Sequence, residues 1–240
     1  MRSLIFCIWS LCVWACSPAA EQPADKASAS DVAQAPVDSL EAVCRKAGLV
    51  NVSTRLPGVL IDLKYATADN FLHRNVYGHF QTAWLQPDVM LMLEEAAQSL
   101  EQSHSHLTFI IYDATRPLRV QEYMWQVLDM PIAEKGKYLS NPANGSVHNY
   151  GAAVDISLAR KSDSVALDMG TPFDYFGPLA EPQLEAQMLR EGKLSAQQVA
   201  NRKILRKVME DAGFRQLPTE WWHYNACSRE EAKKRYQVIY

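Results

Sequence analysis

The 240-residue chain has no excess of basic residues and no apolar run long enough to span a bilayer. Lysine and arginine number 24 against 27 aspartates and glutamates, for a net charge of −3. Basic side chains are not interleaved with aromatic ones, so the composition argues against nucleic acid as a partner. Hydrophobic residues make up 48% of the chain, which is enough to bury the core of one domain.

The N-terminus has the pattern of an export signal. Arg2 precedes an apolar run, Leu4–Ala15, that is typical of a signal-peptide core. The run ends at Cys16, and a small residue before a cysteine resembles a bacterial lipobox. We therefore expect residues 1–16 to be a signal peptide, with Cys16 lipidated and the protein anchored on the periplasmic side of a bacterial membrane. A plain secretory signal and a retained anchor are the alternatives.

A tether and a folded domain follow the signal. Residues 17–38 are rich in Ala, Ser, Pro, Gln and Asp and have no apolar periodicity, which predicts a flexible tether. Residues 39–240 are expected to form the domain. Only Cys44 and Cys227 of the five cysteines lie in it. In an oxidising compartment these two are predicted to form a disulfide, and two buried free thiols are the alternative.

Hydrophobic periodicity predicts an α+β fold. Strands and helices do not alternate as a regular βαβ repeat, so a doubly wound sheet is not favoured. The expected strands are 58–65, 107–112, 152–158, 214–217 and 220–225. The expected helices are 39–47, 85–102, 117–129 and 195–211, and the expected loops are 131–147 and 160–180.

Two short segments carry a candidate metal site. The first contains His148 and Asp155, and in the second Glu220 stands three residues before His223. Two histidines and an aspartate are a mixed nitrogen and oxygen set that suits catalytic zinc, which keeps its fourth position for water. A glutamate that is not needed as a ligand is the expected proton acceptor. Either segment alone could be an ordinary polar edge, but together they predict a zinc hydrolase.

The spacing of His148 and Asp155 requires a bend. Seven residues separate them, which places them on opposite faces of a strand or about 10 Å apart along a helix. Neither arrangement lets both bind one ion through bonds of about 2.0–2.2 Å. Gly151 is placed to provide the bend. Asp155 also lies in an apolar strand, where an unpaired carboxylate is costly, and a metal would supply the missing charge.

These motifs resemble a known family. Ser-x-His-x-x-Gly-x-Ala-x-Asp followed by Glu-x-x-His resembles the zinc D-alanyl-D-alanine metallopeptidases, which include D,D-carboxypeptidases and the hedgehog-type domain. Glu-Trp-Trp-His, Asp-x-x-Arg-Pro and Lys-Tyr-Ala-Thr-x-Asp-Asn-Phe resemble the D-Ala-D-Ala dipeptidases of the VanX type within it, and the likeness runs from about Val59 to Tyr224. The resemblance implies one domain with a mainly antiparallel sheet, helices packed on it and a zinc site on the sheet.

The resemblance also implies residue roles and one Zn²⁺ per chain. The implied substrate is the dipeptide D-Ala-D-Ala, cleaved to two D-alanines. Glu220 would be the base and later the acid, and Arg116 would hold the scissile carbonyl oxygen, although a structural ion pair with Asp113 is its alternative. The remaining roles fall into two groups: metal ligands His148, Asp155 and His223, and substrate-binding residues Tyr65, Ser146 and Asp174.

Two other functions stay open at this stage. A D,D-carboxypeptidase or endopeptidase of peptidoglycan stems would use the same zinc chemistry, but Tyr65 and Asp174 would close its cleft around a free amine. A wall-binding domain could keep zinc only for structure, but it would have no use for Glu220 as a base. The signal and tether depart from the best-known dipeptidases of this type, which act in the cytoplasm.

Overall fold

The computed structural model describes residues 37–240. The predicted signal peptide (residues 1–16), the lipidation site Cys16 and all but the last two residues of the predicted tether lie outside this range. The first helix begins at Val37, two residues before the predicted start of the domain. None of the helices in the described part of the chain has both the length and the hydropathy needed to traverse a bilayer.

The described residues form eight α-helices, seven strands and four short 3₁₀ turns. The helices are α1 (Val37–Lys46), α2 (Val52–Arg55), α3 (Pro87–Ser103), α4 (Leu118–Val127), α5 (Ile132–Lys135), α6 (Glu185–Arg190), α7 (Ala196–Asp211) and α8 (Arg229–Arg235). The strands are β1 (Val50–Asn51), β2 (Leu60–Ile61), β3 (Trp84–Leu85), β4 (Leu107–Asp113), β5 (Ala153–Arg160), β6 (Arg215–Gln216) and β7 (His223–Asn225). The 3₁₀ turns are Lys64–Ala66, Val147–Tyr150, Pro178–Ala180 and Pro182–Leu184.

Five strands form the main sheet, in the order β2-β4-β5-β7-β6. Only β2 and β4 are parallel, and the other three pairs are antiparallel. Strands β1 and β3 form a separate antiparallel pair. The predicted α+β fold with a mainly antiparallel sheet is therefore confirmed.

The centre of the sheet is buried, and most residues of its two central strands, β4 and β5, are apolar. Every residue of β4 is buried, and so is every residue of β5 except the last. Helices α3 and α7 cover the sheet and pack on each other. Helix α3 starts with Pro87 in its first turn, and α7 starts with a capping box in which the Ser195 hydroxyl accepts from Gln198 N. Both helix starts follow the sequence prediction.

Four predicted elements are shorter or different in the structure. The expected strand 58–65 is a strand only at Leu60–Ile61 and then turns into the 3₁₀ segment Lys64–Ala66. The expected loop 131–147 contains α5. The C-terminal strands are also shorter than predicted, so that Glu220 lies in the turn before β7 rather than within a strand.

The predicted disulfide is absent. Cys44 and Cys227 are both buried free thiols. The two thiols lie near different charged groups. Glu41 acts on the pKa of Cys44, whereas Arg235 and Glu231 act on that of Cys227. Burial raises the pKa of both thiols, that of Cys44 to about 12. Each cysteine therefore acts as a small apolar side chain in the core.

Candidate active site

The predicted ligands His148, Asp155 and His223 meet in one buried cluster. His223 Nδ1 lies 2.9 Å from Asp155 Oδ1 and 3.2 Å from His148 Nε2, and His148 Nε2 lies 3.4 Å from Asp155 Oδ1. Ligands of a tetrahedral zinc with bonds of about 2.0–2.1 Å are separated by about 3.3–3.4 Å. The three ligand atoms are therefore spaced closely enough to bind one zinc ion without rearrangement of the cluster.

Neighbouring groups fix which nitrogen of each histidine faces the cluster. His148 Nδ1 donates to the carbonyl of Ala114 at 2.6 Å, which turns Nε2 towards the cluster. His223 Nε2 lies 3.0 Å from Asn225 Oδ1, to which it can donate, and this places Nδ1 towards the cluster. Metal-binding histidines are usually held through the opposite ring nitrogen in this way. Both imidazoles are thus oriented for metal binding before a metal arrives.

The chain brings the ligands together through one turn and one strand pair. His148 lies in the 3₁₀ turn Val147–Tyr150, which ends at Gly151 with φ +67°. This left-handed residue provides the predicted bend and directs the chain into β5. Asp155 on β5 then pairs directly opposite His223 on β7. Side chains that face each other across an antiparallel pair are close enough to share an ion.

Burial and the charges of the neighbouring ligands have opposite effects on the pKa values of Asp155 and His223. Burial alone would raise the pKa of Asp155, but the charges and hydrogen bonds of His148 and His223 outweigh it and lower that pKa. Burial alone would lower the pKa of His223, but its hydrogen bond to Asp155 and the carboxylate charge raise it. The aspartate is therefore held ionised at neutral pH, as a metal ligand must be.

Glu220 lies in the same cavity as the three ligands. It is not part of the metal cluster, so its carboxylate is available for proton transfer. Burial raises its pKa, and the charge of Asp155 adds to the rise while His223 opposes it. A base works best when its pKa approaches the operating pH. The shift is thus in the direction expected for a general base.

Arg116 is held by a buried aspartate next to the cluster. Its Nε and Nη2 donate to Asp113 Oδ2 at 2.9 and 2.7 Å, and Nη2 lies 3.7 Å from Asp155 Oδ2. The guanidinium carbon is 4.9 Å from the centre of the Tyr65 ring. The ion pair with Asp113 considered from the sequence does form, and Arg116 lines the cavity as well.

Tyr65 and Asp174 meet on the wall of the cavity. The Tyr65 hydroxyl donates to Asp174 Oδ1 at 3.1 Å, and Phe71 N donates to Oδ2 at 3.4 Å. Burial, and then the charge of Asp155, raises the pKa of Asp174 well above its ordinary value. Asp174 has φ +59°, an uncommon backbone conformation that aspartate tolerates better than most residues. A carboxylate in this position would be stabilised by a cation.

Ser146 is the N-cap residue of the 3₁₀ turn that carries His148. Its hydroxyl accepts from His148 N at 3.4 Å, and the Asn149 side chain accepts from Ser146 N at 2.6 Å in return. This capping box holds the start of the turn. Ser146 also lines the cavity, so its placement fits both a structural role and contact with substrate.

A family model for the D-Ala-D-Ala dipeptidases matches residues 45–239 of this sequence. The chain belongs to this family. It is 31% identical to a D-alanyl-D-alanine dipeptidase of Escherichia coli strain K12, over 73% of this chain and 83% of the relative. It is 27% identical to one of Enterococcus faecalis, over 74% of this chain and 90% of the relative. The resemblance inferred from the motifs is confirmed, and the protein is a peptidase of this dipeptidase family.

Solved structures add little to this assignment. A structure titled "VanYB in complex with D-Alanine-D-Alanine" aligns with a TM-score of 0.38 and 14% identity, over 63% of this chain and 76% of that chain. A likeness at that level supports no conclusion about the site. The family assignment therefore depends on the sequence comparisons.

The dipeptidase cavity collects every residue predicted to act in it. Its volume is about 120 Å³, well below the roughly 300–1,000 Å³ of pockets for drug-sized ligands. A small substrate is therefore favoured. All eight predicted metal, catalytic and substrate-binding residues line it: Tyr65, Arg116, Ser146, His148, Asp155, Asp174, Glu220 and His223.

Sequence reasoning missed other residues of the wall. Tyr138 and Ser140 come from the segment predicted as loop, Asn225 ends β7, and Arg229 starts α8. Asn225 was predictable as a cavity residue, because a strand places alternate side chains on one face and His223 is two residues earlier. Tyr138 and Arg229 reach the cavity only through the folding of distant segments, and no local pattern marks them.

Proposed function

We propose that the protein is a zinc dipeptidase that hydrolyses D-Ala-D-Ala to two D-alanines. The observation that carries this proposal is the convergence of His148, Asp155 and His223 at tetrahedral spacing beside Glu220. Family membership supports the substrate, because the relatives in Escherichia coli and Enterococcus faecalis are named D-alanyl-D-alanine dipeptidases.

His148 Nε2, Asp155 Oδ1 and His223 Nδ1 would hold the ion. When bound, zinc would lower the pKa of water and polarise the scissile carbonyl. Glu220 would take the proton from the attacking water and deliver it to the leaving amine as the peptide bond breaks. Its raised pKa suits both steps, since the group must first accept and then donate.

Arg116 would stabilise the negative charge that develops on the carbonyl oxygen. Its position is fixed by two hydrogen bonds to Asp113 Oδ2, so little reorganisation is needed during the reaction. Preorganised donors of this kind typically contribute about 10²–10³ in kcat. The pair with Asp113 thus supports the catalytic role, because it holds the guanidinium in place.

Tyr65 and Asp174 would bind the ammonium group of the substrate. Asp174 is half-buried beside the Tyr65 hydroxyl, and among residues 37–240 it forms no salt bridge. A substrate ammonium would supply the missing cation and favour the ionised carboxylate. A peptide with a blocked or extended N-terminus would leave the Asp174 carboxylate without a counter-charge, so it would be a poor substrate.

The amine requirement separates this function from wall carboxypeptidase activity. The purified domain should be mixed with free D-Ala-D-Ala and with its N-acetylated form, and released D-alanine measured with and without a chelator. We expect cleavage of the free dipeptide only, and its loss on chelation. Cleavage of both forms would instead indicate a D,D-carboxypeptidase. If neither form is cleaved, the result would indicate a non-catalytic wall-binding domain.

We further propose export, which depends on the N-terminal signal pattern and Cys16 alone. Outside the cytoplasm, a D-Ala-D-Ala dipeptidase would serve salvage of wall dipeptide or trimming of wall fragments. Cell fractionation tests this: we expect the full-length protein in the membrane fraction, and removal of Cys16 to release it. Recovery of the intact protein from the cytosol would refute export.

A further inference from the structure

The charges on the cavity wall leave one cation without a partner. Three carboxylates line the wall, those of Asp155, Asp174 and Glu220, and two arginines, Arg116 and Arg229. Arg116 is paired with Asp113 at 2.7 Å and lies near Asp155. Within residues 37–240, Arg229 forms no salt bridge, and its Nε is buried without a hydrogen-bond partner.

Such an arrangement is costly unless a ligand completes it. A guanidinium cannot lose its charge in a protein, and a buried donor without an acceptor has lost its hydration without compensation. Native structures rarely leave such groups unpaired, and a functional role is one of the reasons for which they do. The missing partner of Arg229 is an anion, and the cavity is the space in which an anion could reach it.

The fold holds Arg229 firmly against the site. It follows His223 by six residues, and the segment between is fixed where Ala226 N donates to the Ala152 carbonyl at 2.8 Å. Ser228 and Glu231 then form a capping box at the start of α8. Helix α8 packs on the 3₁₀ turn that carries His148. Arg229 is thus tied to both segments that supply the histidine ligands.

The proposed substrate brings one anion of the right kind. D-Ala-D-Ala carries an ammonium at one end and a carboxylate at the other. Asp174 suits the ammonium, and of the two arginines on the wall only Arg229 is unpaired. We propose that Arg229 binds the C-terminal carboxylate of the dipeptide, an inference that rests on the proposed function. A planar guanidinium can bind a carboxylate through two parallel hydrogen bonds, which a lysine cannot reproduce.

The assignment makes Arg229 a specificity residue for the free C-terminus. Together with Asp174 it would read both ends of the substrate, so that a dipeptide fits and a longer chain at either end does not. A C-terminal amide has no charge to pair with Arg229 and should be cleaved much less well. The preference of the enzyme for the free acid over the amide is therefore the quantity that Arg229 controls.

The test compares D-Ala-D-Ala with D-Ala-D-Ala amide in the wild type and in Arg229→Gln. In the variant we expect kcat/KM for the free acid to fall about 10–100-fold, mainly through KM, and kcat/KM for the amide to change less than about threefold. Arg229→Lys should recover part of the lost preference. Lys234→Gln removes an exposed charge from the same helix and should change neither substrate.

Bound zinc and the melting temperature should be measured for each variant, so that a damaged site is recognised. An Arg229→Gln protein that keeps its zinc and the full wild-type preference for the free acid would overturn this inference alone. Equal loss toward acid and amide would also overturn it, since that indicates a structural role. A wild type inert toward both substrates would overturn the proposed function, and this inference with it.

Discussion

Asp174 shows at the scale of a single residue how a binding site can cost stability. Its carboxylate is half-buried, receives hydrogen bonds from Tyr65 and Phe71 N, and has a strongly raised pKa. A carboxyl group whose folded-state pKa is raised destabilises the fold as the pH rises above its unfolded value. The group is therefore placed for a ligand, and the free protein bears the cost.

Replacing Asp174 with asparagine should separate these two effects. We expect KM for D-Ala-D-Ala to rise about 10–100-fold, because the ammonium loses its counter-charge, while the melting temperature at neutral pH stays equal or rises. Asparagine also tolerates the left-handed backbone of this position. Steady-state kinetics and thermal unfolding measure the two quantities. Asp129→Asn, at an exposed position, is the control, and an unchanged KM in Asp174→Asn would contradict the assignment.

At the scale of elements, the bend after the 3₁₀ turn decides the ligand geometry. A Cβ on Gly151 would lie 3.0 Å from Thr115 Oγ1 and 3.1 Å from Leu49 Cδ2, in addition to the strain of φ +67°. Gly192 offers a matched comparison, since its φ is +68° and a Cβ there meets nothing within 4 Å. The two glycines therefore differ in surroundings and share a conformation.

Substituting alanine at each glycine should separate crowding from backbone strain. Gly192→Ala should destabilise by about 1–2 kcal/mol, the cost of the left-handed backbone. Gly151→Ala should cost about 1–3 kcal/mol more because neighbours must move, and it should weaken zinc binding by displacing His148. Denaturant unfolding and zinc titration measure both. Equal stability losses with unchanged zinc affinity would show that the bend does not set the site.

Local patterns predicted the elements that are held by local interactions. The helices predicted over 85–102 and 195–211 begin close to the expected residues, and each start is held by neighbours in sequence, Pro87 in α3 and the capping box of Ser195 and Gln198 in α7. The strand expected over 58–65 fails for a non-local reason. The Tyr65 carbonyl accepts from both Val76 N and Tyr77 N, which holds the chain in a 3₁₀ turn that apolar alternation cannot reveal.

The candidate site divides in the same way. His148, Asp155, Glu220 and His223 were identified from motif chemistry, and the structure places them together; their roles remain predictions. The ion pair of Arg116 with Asp113 was considered from the sequence only as an alternative to the catalytic role. The position of Arg229 on the cavity wall could not be predicted from the sequence. It depends on how α8 packs against the 3₁₀ turn Val147–Tyr150, about 80 residues earlier in the chain.

At the scale of the whole molecule, metal binding should be coupled to folding. A ligand that binds only the folded state stabilises it, and the three ligands come from two segments far apart in the chain, His148 and Asp155 from one and His223 from the other. Without metal, the raised pKa of His223 contributes stability below its ordinary pKa of 6.5, which is lost as the pH rises through the folded-state value. Zinc requires the neutral histidine, so its effect grows over the same range.

The difference in melting temperature between zinc-loaded and metal-free protein should therefore increase from about pH 6 to about pH 8. The lowered pKa of Asp155 does not contribute there, because its stabilisation is lost only as the pH falls below the ordinary range of carboxyl groups. Thermal unfolding at matched ionic strength measures the difference. A difference that is constant or decreases with pH would show that His223 does not bind the metal.

The account depends most on Glu220 acting beside three zinc ligands without being one. Bound zinc and D-alanine release should be measured on the same preparations of wild type and Glu220→Gln. We predict about one zinc per chain in both, and a fall in kcat of about 10²–10⁴ in the variant. Full activity in Glu220→Gln, or loss of zinc together with activity, would contradict the account.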